Sequence, residues 1–68
     1  MIPFSLVGVD GNAFAIMGYV TRALSRTGLR DLIPEYQSEA TSGNYYKLLA
    51  VSQDYIDKAN RAAGLEVD

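Results

Sequence analysis

The sequence predicts a small, mainly α-helical domain with an extended arm at its amino terminus. Three observations support this fold class. Apolar residues recur with helical spacing along most of the chain, glycine and asparagine stand where helices would start and end, and only the first residues favour β-structure. A chain of 68 residues forms one domain at most. We therefore expect a single domain, residues 1–68, with helices at about 12–27, 31–41 and 44–63.

The first segment, residues 2–9, reads IPFSLVGV and is rich in residues that favour strands. Ile2, Phe4 and Leu6 alternate with other residues, and Pro3 restricts the segment to a sheet edge or an arm. Because no other segment reads as a strand, its backbone groups would lack a partner within a sheet. The segment is therefore predicted to lie as an extended arm across the helices, or to pair as a short β-strand with a second copy.

The second segment, residues 12–27, has the pattern of an amphipathic helix. Asp10 or Asn12 would cap its amino terminus, and Gly28 would end it. Gly18 lies in the middle, where glycine costs about 1 kcal/mol relative to alanine, and this predicts that another backbone comes close there. The apolar face of the helix comprises Ala13, Ile16, Met17, Val20, Ala23 and Leu24.

The third segment, residues 31–41, predicts a short helix. Asp31 could cap it, and Pro34 fits a helix only within the first turn, where its missing N–H is not needed. The TSGN sequence that follows contains residues that end one helix and cap the next.

The last segment, residues 44–63, predicts the longest helix. Gly64 would end it, and residues 65–68 are expected to form a frayed tail. Tyr46 points to the polar side, and we expect Tyr46 and Tyr19 to touch a partner, because tyrosine is enriched at interfaces. The predicted apolar face comprises Tyr45, Leu48, Leu49, Ser52, Tyr55, Ile56, Ala59, Ala62 and Ala63.

Composition limits the classes of function. The chain has no cysteine and no histidine, so it offers no disulfide, no soft metal ligand and no imidazole base. No spacing pairs a serine or threonine with a base, and Glu35 and Glu39 on a short polar helix are typical of a solvated face. The DGN sequence resembles part of a calcium loop but lacks the ligands on either side. We therefore expect a protein that is not an enzyme and that has no metal and no cofactor.

Charge and hydropathy indicate where the protein works. The apolar start is too short to span a bilayer and lacks the basic flank of a signal peptide, which predicts a cytoplasmic protein with no membrane contact.

Residues 1–30 carry three arginines against one aspartate, and residues 31–68 carry three basic and seven acidic side chains. This distribution disfavours nucleic acid and suits head-to-tail contacts or one local anion site. So small a core, without a crosslink, also predicts either a homo-oligomer or unusually good packing of the helices.

One candidate binding site lies on the flank of the first helix. By the helical count, Tyr19, Arg22 and Arg26 fall within about 60° of one another. An aromatic ring beside two guanidinium groups can stack a base and bind phosphates. A solvated face with one exposed tyrosine fits the same pattern.

A second candidate site comprises the turns at the starts of the first and last helices. Free amides at a helix amino terminus favour an anion, but Asp10 places a carboxylate there and can satisfy the amides itself. The alternative is that both turns are ordinary helix caps. If the two turns meet, they form one polar patch, with Tyr46 beside it. This patch would comprise Asp10, Gly11, Asn12, Ser42, Gly43, Asn44 and Tyr45.

Two motifs resemble those of a family of small proteins found in bacteriophages, integrated elements and some bacterial genomes. LVGVDGNAFAIMGYVTRAL is similar to the family pattern L-[IV]-G-x-D-G-N-A-F-x-[IL]-x-G followed by a basic helix, and EYQSEATSGNYYKLL is similar to E-A-T-S-G-[DN]-Y-x-x-L-L. The match covers residues 6 to about 51. The sequence departs from the family pattern in three places. The connector before Glu35 is about one residue shorter than in the family and contains Pro34. Asn44 and Tyr46 stand where the family more often has Asp, and the last helix ends differently.

The resemblance implies a context rather than a reaction, because the family has no assigned activity. It implies a small binding protein of phage or mobile-element type that acts against a host defence system. Such a protein could sequester a small anionic, nucleotide-derived signal. The alternative is a protein–protein interaction module that binds and blocks a host protein.

Overall fold

The computed structural model describes residues 2–65 and contains three α-helices with an extended amino-terminal arm. Helix α1 spans Ala13–Arg26, a 3₁₀ turn spans Arg30–Leu32, α2 spans Ile33–Ala40 and α3 spans Tyr45–Ala62. No strand occurs in the described part of the chain. The mainly helical class and the three helices are therefore confirmed, and the predicted ranges of the first and last helices include their capping residues. The predicted tail lies outside the described residues except for Leu65.

The ends of α1 follow from local sequence. Asn12 caps the helix, because its Oδ1 accepts a hydrogen bond from the Ala15 N–H at 2.8 Å. Gly28 has a φ of +79°, which favours glycine, and this conformation brings the Leu29 N–H to the Leu24 carbonyl at 2.8 Å. Both ends therefore use the type of residue that the sequence predicted.

The start of α2 differs from the prediction. No side chain caps this helix, so the expectation that Asp31 caps it is wrong. The chain instead enters α2 through the 3₁₀ turn, in which the Ile33 N–H donates to the Arg30 carbonyl, so a backbone bond replaces the side-chain cap. Pro34 lies in the first turn of α2, as predicted.

The three helices enclose one core. Helices α1 and α3 run in the same direction, because Gly11 and Tyr45 meet at their starts and Thr27 and Ala63 line one cavity at their ends. Helix α2 runs back, since Ala40 at its end lies beside the start of α3. The buried apolar side chains are Ile16, Val20, Ala23, Leu24, Tyr36, Ala40, Leu48, Val51, Tyr55, Ile56 and Ala59.

The predicted apolar face of α3 needs correction at its ends. Tyr45 is 42% exposed, and Ala62 and Ala63 are exposed as well. Val51 and Asn60 are buried instead, because α3 packs against both other helices and Asn60 also lies beneath the arm. A single helical face drawn from the sequence cannot represent burial on two sides.

The arm lies extended across α1 and α3. Asn60 on α3 accepts the Phe4 N–H through Oδ1 at 2.8 Å and donates through Nδ2 to the Phe4 carbonyl at 3.0 Å. On α1, the Tyr19 hydroxyl accepts the Ser5 N–H at 2.8 Å, and the Tyr19 and Phe4 rings pack edge to face. The structure therefore contains the extended arm over residues 2–5 and no β-strand, whereas residues 6–9 of the predicted arm form a turn in which the Val9 N–H donates to the Leu6 carbonyl.

Gly18 does not mark a close approach of another backbone. A Cβ at this position would meet no atom within 4 Å, and the residue is exposed. The expected close approach does not occur within the chain, because Gly18 lies on the side of α1 that faces away from the other helices.

Candidate functional site

The DGN and SGN turns meet at one end of the bundle. Tyr45 is the first residue of α3, and its hydroxyl donates a hydrogen bond to the carbonyl of Gly11, which immediately precedes the cap of α1. The two residues are 34 positions apart. The structure therefore brings the two motifs into contact, whereas ligand binding by these turns stays a prediction.

Both turns act as helix caps. Asn44 caps α3 as Asn12 caps α1, and its Oδ1 accepts the Lys47 N–H at 3.0 Å. Asp10 holds the first cap in place, because its Oδ1 accepts from the backbone N–H of Asn12 at 3.0 Å and from its Nδ2 at 3.2 Å. Each cap binds the third amide of its helix, so the first two amides point out of the helix end.

Ser42 and Gly43 shape the turn that joins α2 to α3. The Ser42 hydroxyl donates to the Glu39 carbonyl at 2.7 Å, which helps to end α2. A Cβ at Gly43 would come within 2.7 Å of Lys47 Cδ, so the absence of a side chain leaves room for Lys47. These two candidate residues therefore have structural roles in the turn.

A depression of about 250 Å³ lies beside the contact between Tyr45 and Gly11. This volume is small for a ligand pocket, since pockets that bind drug-sized ligands have volumes of about 300–1,000 Å³. An open depression of this size suits one apolar side chain. The residues around it include Ala13, Met17, Ala40, Gly43, Asn44 and Tyr45.

Exposed aromatic side chains stand at the same end of the bundle. Phe14 and Tyr46, in the first turns of α1 and α3, are 89% and 79% exposed. The Tyr46 ring packs edge to face against the Tyr45 ring, with 6.5 Å between centroids. Tyr46 was identified from the sequence, whereas Phe14 was missed. The position of Phe14 off the apolar face of α1 could have indicated that its ring is exposed. We name Phe14, Tyr45, Tyr46 and the depression beside them the aromatic end.

The group on the flank of α1 is not a free stacking platform. Tyr19 is half-buried, because its hydroxyl binds the Ser5 N–H and its ring contacts Phe4. The interpretation of Tyr19 as an exposed ring is therefore corrected. Arg22 and Arg26 are exposed, and Arg26 lies in the last turn of α1, where a cation favourably offsets the helix dipole.

Glu35 and Glu39 have a defined partner that the sequence did not indicate. The hydroxyl of Tyr55, a buried residue, donates to Glu35 at 2.6 Å and to Glu39 at 3.2 Å. Burial and these two carboxylates raise the pKa of Tyr55, so it stays a proton donor. Deeper in the core, the Tyr36 and Ser52 hydroxyls are 2.6 Å apart, and burial raises the pKa of Tyr36.

Comparison of the chain with protein-family models, with curated proteins and with solved structures finds no match. The resemblance to the phage and mobile-element family therefore stays a prediction that depends on the two motifs. Among residues 2–65, no cluster of three or more acidic side chains is placed to hold a metal ion. No helix in that range has the length and apolarity needed to cross a bilayer.

Proposed function

We propose that this chain is a small binding protein, not an enzyme, that docks onto a protein partner through the aromatic end. The observation that carries the proposal is the exposure of Phe14 and Tyr46 on helix starts that the bond between Tyr45 and Gly11 joins. Burial of one large apolar side chain contributes about 1.5–3 kcal/mol. Three of the five large hydrophobic side chains exposed among residues 2–65 stand at this end of the bundle, and a chain with so small a core is stabilised when they are buried against another molecule.

The aromatic end is also rigid before it binds. The Tyr45 ring is held by its hydrogen bond to Gly11, and the Tyr46 ring packs against it. Ordering of interface side chains costs about 0.5–1.5 kcal/mol for each flexible side chain, and a preorganised surface avoids much of this cost. The depression beside Tyr45 would accept one apolar side chain of the partner, in the manner of a paired hot spot.

The two motifs direct the proposal towards a host protein. Both lie at the aromatic end, and their resemblance to the phage and mobile-element family supports action in the cytoplasm against a component of a host defence system. In this role the chain would bind the host protein and block its surface.

A pull-down from host lysate tests the proposal. The wild-type chain should retain one host protein in stoichiometric amount, and Phe14→Ser/Tyr46→Ser should lose it. Ile2→Ser is the matched control, because Ile2 is equally apolar and exposed but lies near the ends of α1 and α3. Retention of the same protein by the double variant would contradict the proposal, as would its loss from the control.

A second candidate function is sequestration of a nucleotide-derived signal. It is favoured by the starts of α1 and α3, whose dipoles both favour an anion at the same end of the bundle. Thermal-shift measurements with cyclic dinucleotides and ADP-ribose derivatives test it. Binding should stabilise the fold by about 2.7 kcal/mol at a hundredfold excess over Kd, and no shift with any of these compounds would exclude this candidate.

A further inference from the structure

The groove that holds the arm forms its hydrogen bonds with backbone groups of the arm rather than with side chains. We define this groove by Tyr19 on α1 and Asn60 on α3. Its three hydrogen bonds to the arm reach the N–H and carbonyl of Phe4 and the N–H of Ser5. Side-chain recognition comes from the Phe4 ring against Tyr19. An identical arm from another molecule would form every one of these contacts.

The groove is built to be filled. Asn60 is only 2% exposed, and its carboxamide bonds both backbone groups of Phe4. A buried amide that loses its partners is strongly unfavourable, because it cannot recover those bonds from water. The folded state therefore requires an arm in the groove, whichever molecule supplies it.

The segment between the arm and α1 can act as a hinge. It folds back through a turn in which the Val9 N–H donates to the Leu6 carbonyl at 3.1 Å, and Gly8 in this turn has a φ of +86°. Glycine adopts positive and negative φ about equally well, so the turn can open at little conformational cost. Opened, residues 7–10 would span about 13 Å.

Two cavities beside Phe4 are lined by charged side chains of opposite sign. Arg26 on α1 lines one of them, and Asp57 on α3 lines the other. In a dimer with two-fold symmetry, if one residue of the first copy contacts a second residue of the other copy, the reciprocal contact also forms. Two grooves that face each other could therefore place Arg26 of each copy opposite Asp57 of the other.

We propose that two copies of the chain exchange their arms. Each arm leaves its own groove by opening at Gly8 and occupies the groove formed by Tyr19 and Asn60 of the other copy. The exchanged dimer repeats every arm contact of the monomer and adds the contacts between the two bodies. This gives the predicted homo-oligomer a defined interface, and it does not depend on the proposed partner, because Phe14 and Tyr46 take no part in it.

A mixture of two full-length variants tests arm exchange. Asn60→Ala removes the carboxamide from the groove, and Phe4→Pro removes the N–H and the ring from the arm. Each variant alone should be monomeric. An equimolar mixture, with one variant labelled with ¹⁵N, should give a one-to-one heterodimer in native mass spectrometry, because it restores one intact arm and one intact groove.

Gly8→Ala provides a test in a chain whose arm and groove are both intact. A Cβ at Gly8 would meet no atom within 4 Å, so the substitution acts only through the strained positive φ of the closed turn. It should raise the dimer association constant about a hundredfold, because the strain is relieved once in each of the two chains. Gly18→Ala, which also meets no atom, should leave the constant unchanged. A wild-type chain that stays monomeric at millimolar concentration, a mixture without heterodimer, or a Gly8→Ala chain without a gain in dimer would overturn the proposal.

Discussion

The hydroxyl of Tyr45 donates a hydrogen bond to the carbonyl of Gly11, 34 positions earlier in the chain. This bond joins the residue before the cap of α1 to the first residue of α3. It therefore holds together the two helix starts that carry the aromatic end.

Tyr45→Phe should lower the free energy of unfolding by about 0.5–1.5 kcal/mol, because it removes this hydrogen bond and keeps the ring. Urea unfolding followed by circular dichroism measures the change. Tyr46→Phe is the matched control, since no hydrogen bond of the Tyr46 hydroxyl occurs among the described residues. Equal effects of the two substitutions would show that the bond does not contribute to stability.

Gly18→Ala should raise the free energy of unfolding by about 1 kcal/mol, because alanine favours the helix and the added methyl group meets no atom. For a domain of this size, the melting temperature should rise by about 4–8 °C for each kcal/mol. The opposite sign is expected for Gly28→Ala, where φ is +79° and an L side chain is strained. A loss of stability in Gly18→Ala would mean that this side of α1 is covered in solution.

Ser52→Ala should lower the free energy of unfolding by about 1–3 kcal/mol, because it leaves the buried Tyr36 hydroxyl without its partner. Removing both hydroxyls in Tyr36→Phe/Ser52→Ala should recover part of this loss. Denaturant unfolding of the four chains gives a double-mutant cycle. Strictly additive effects in this cycle would contradict the pairing of the two hydroxyls.

Stability should fall as the pH rises above 10. The pKa of Tyr36 and of Tyr55 is raised above the ordinary value of 10.0, in both cases chiefly by burial. The unfolded chain therefore loses protons that the folded chain retains, and their stabilising contribution is full below pH 10 and is lost above it. Urea unfolding at pH 8 and at pH 11 measures the effect. Tyr55→Phe should reduce the slope, and an unchanged slope would contradict this assignment.

Features determined by neighbouring residues could be predicted from the sequence. The cap of α1 at Asn12, the cap of α3 at Asn44 and the end of α1 at Gly28 each depend on residues within one helical turn. Helical spacing also predicted the apolar face of α1, because that helix buries one side only. Such features depend on local hydrogen bonding and periodicity, which the sequence shows directly.

Features that depend on distant residues could not be predicted. Asn60 reads as a polar residue near a helix end, and its burial follows from a backbone 56 positions away. Glu35 and Glu39 read as a solvated pair, and their partner Tyr55 lies on another helix. Tyr19 reads as an exposed residue of α1, and its partial burial follows from the arm, whose path over α1 cannot be read from the arm's own sequence. For the candidate site, the sequence identified the two turns but did not indicate whether they lie in contact in the fold.

The bond between Phe4 and Asn60 also constrains the order of events during protein synthesis. Phe4 is synthesised 56 positions before Asn60, which lies on α3. The arm therefore has no receptor until α3 has emerged, and it stays in solvent while the earlier helices appear. Docking of the arm therefore follows the synthesis of α3, and until then the arm is accessible to neighbouring nascent chains on the same messenger.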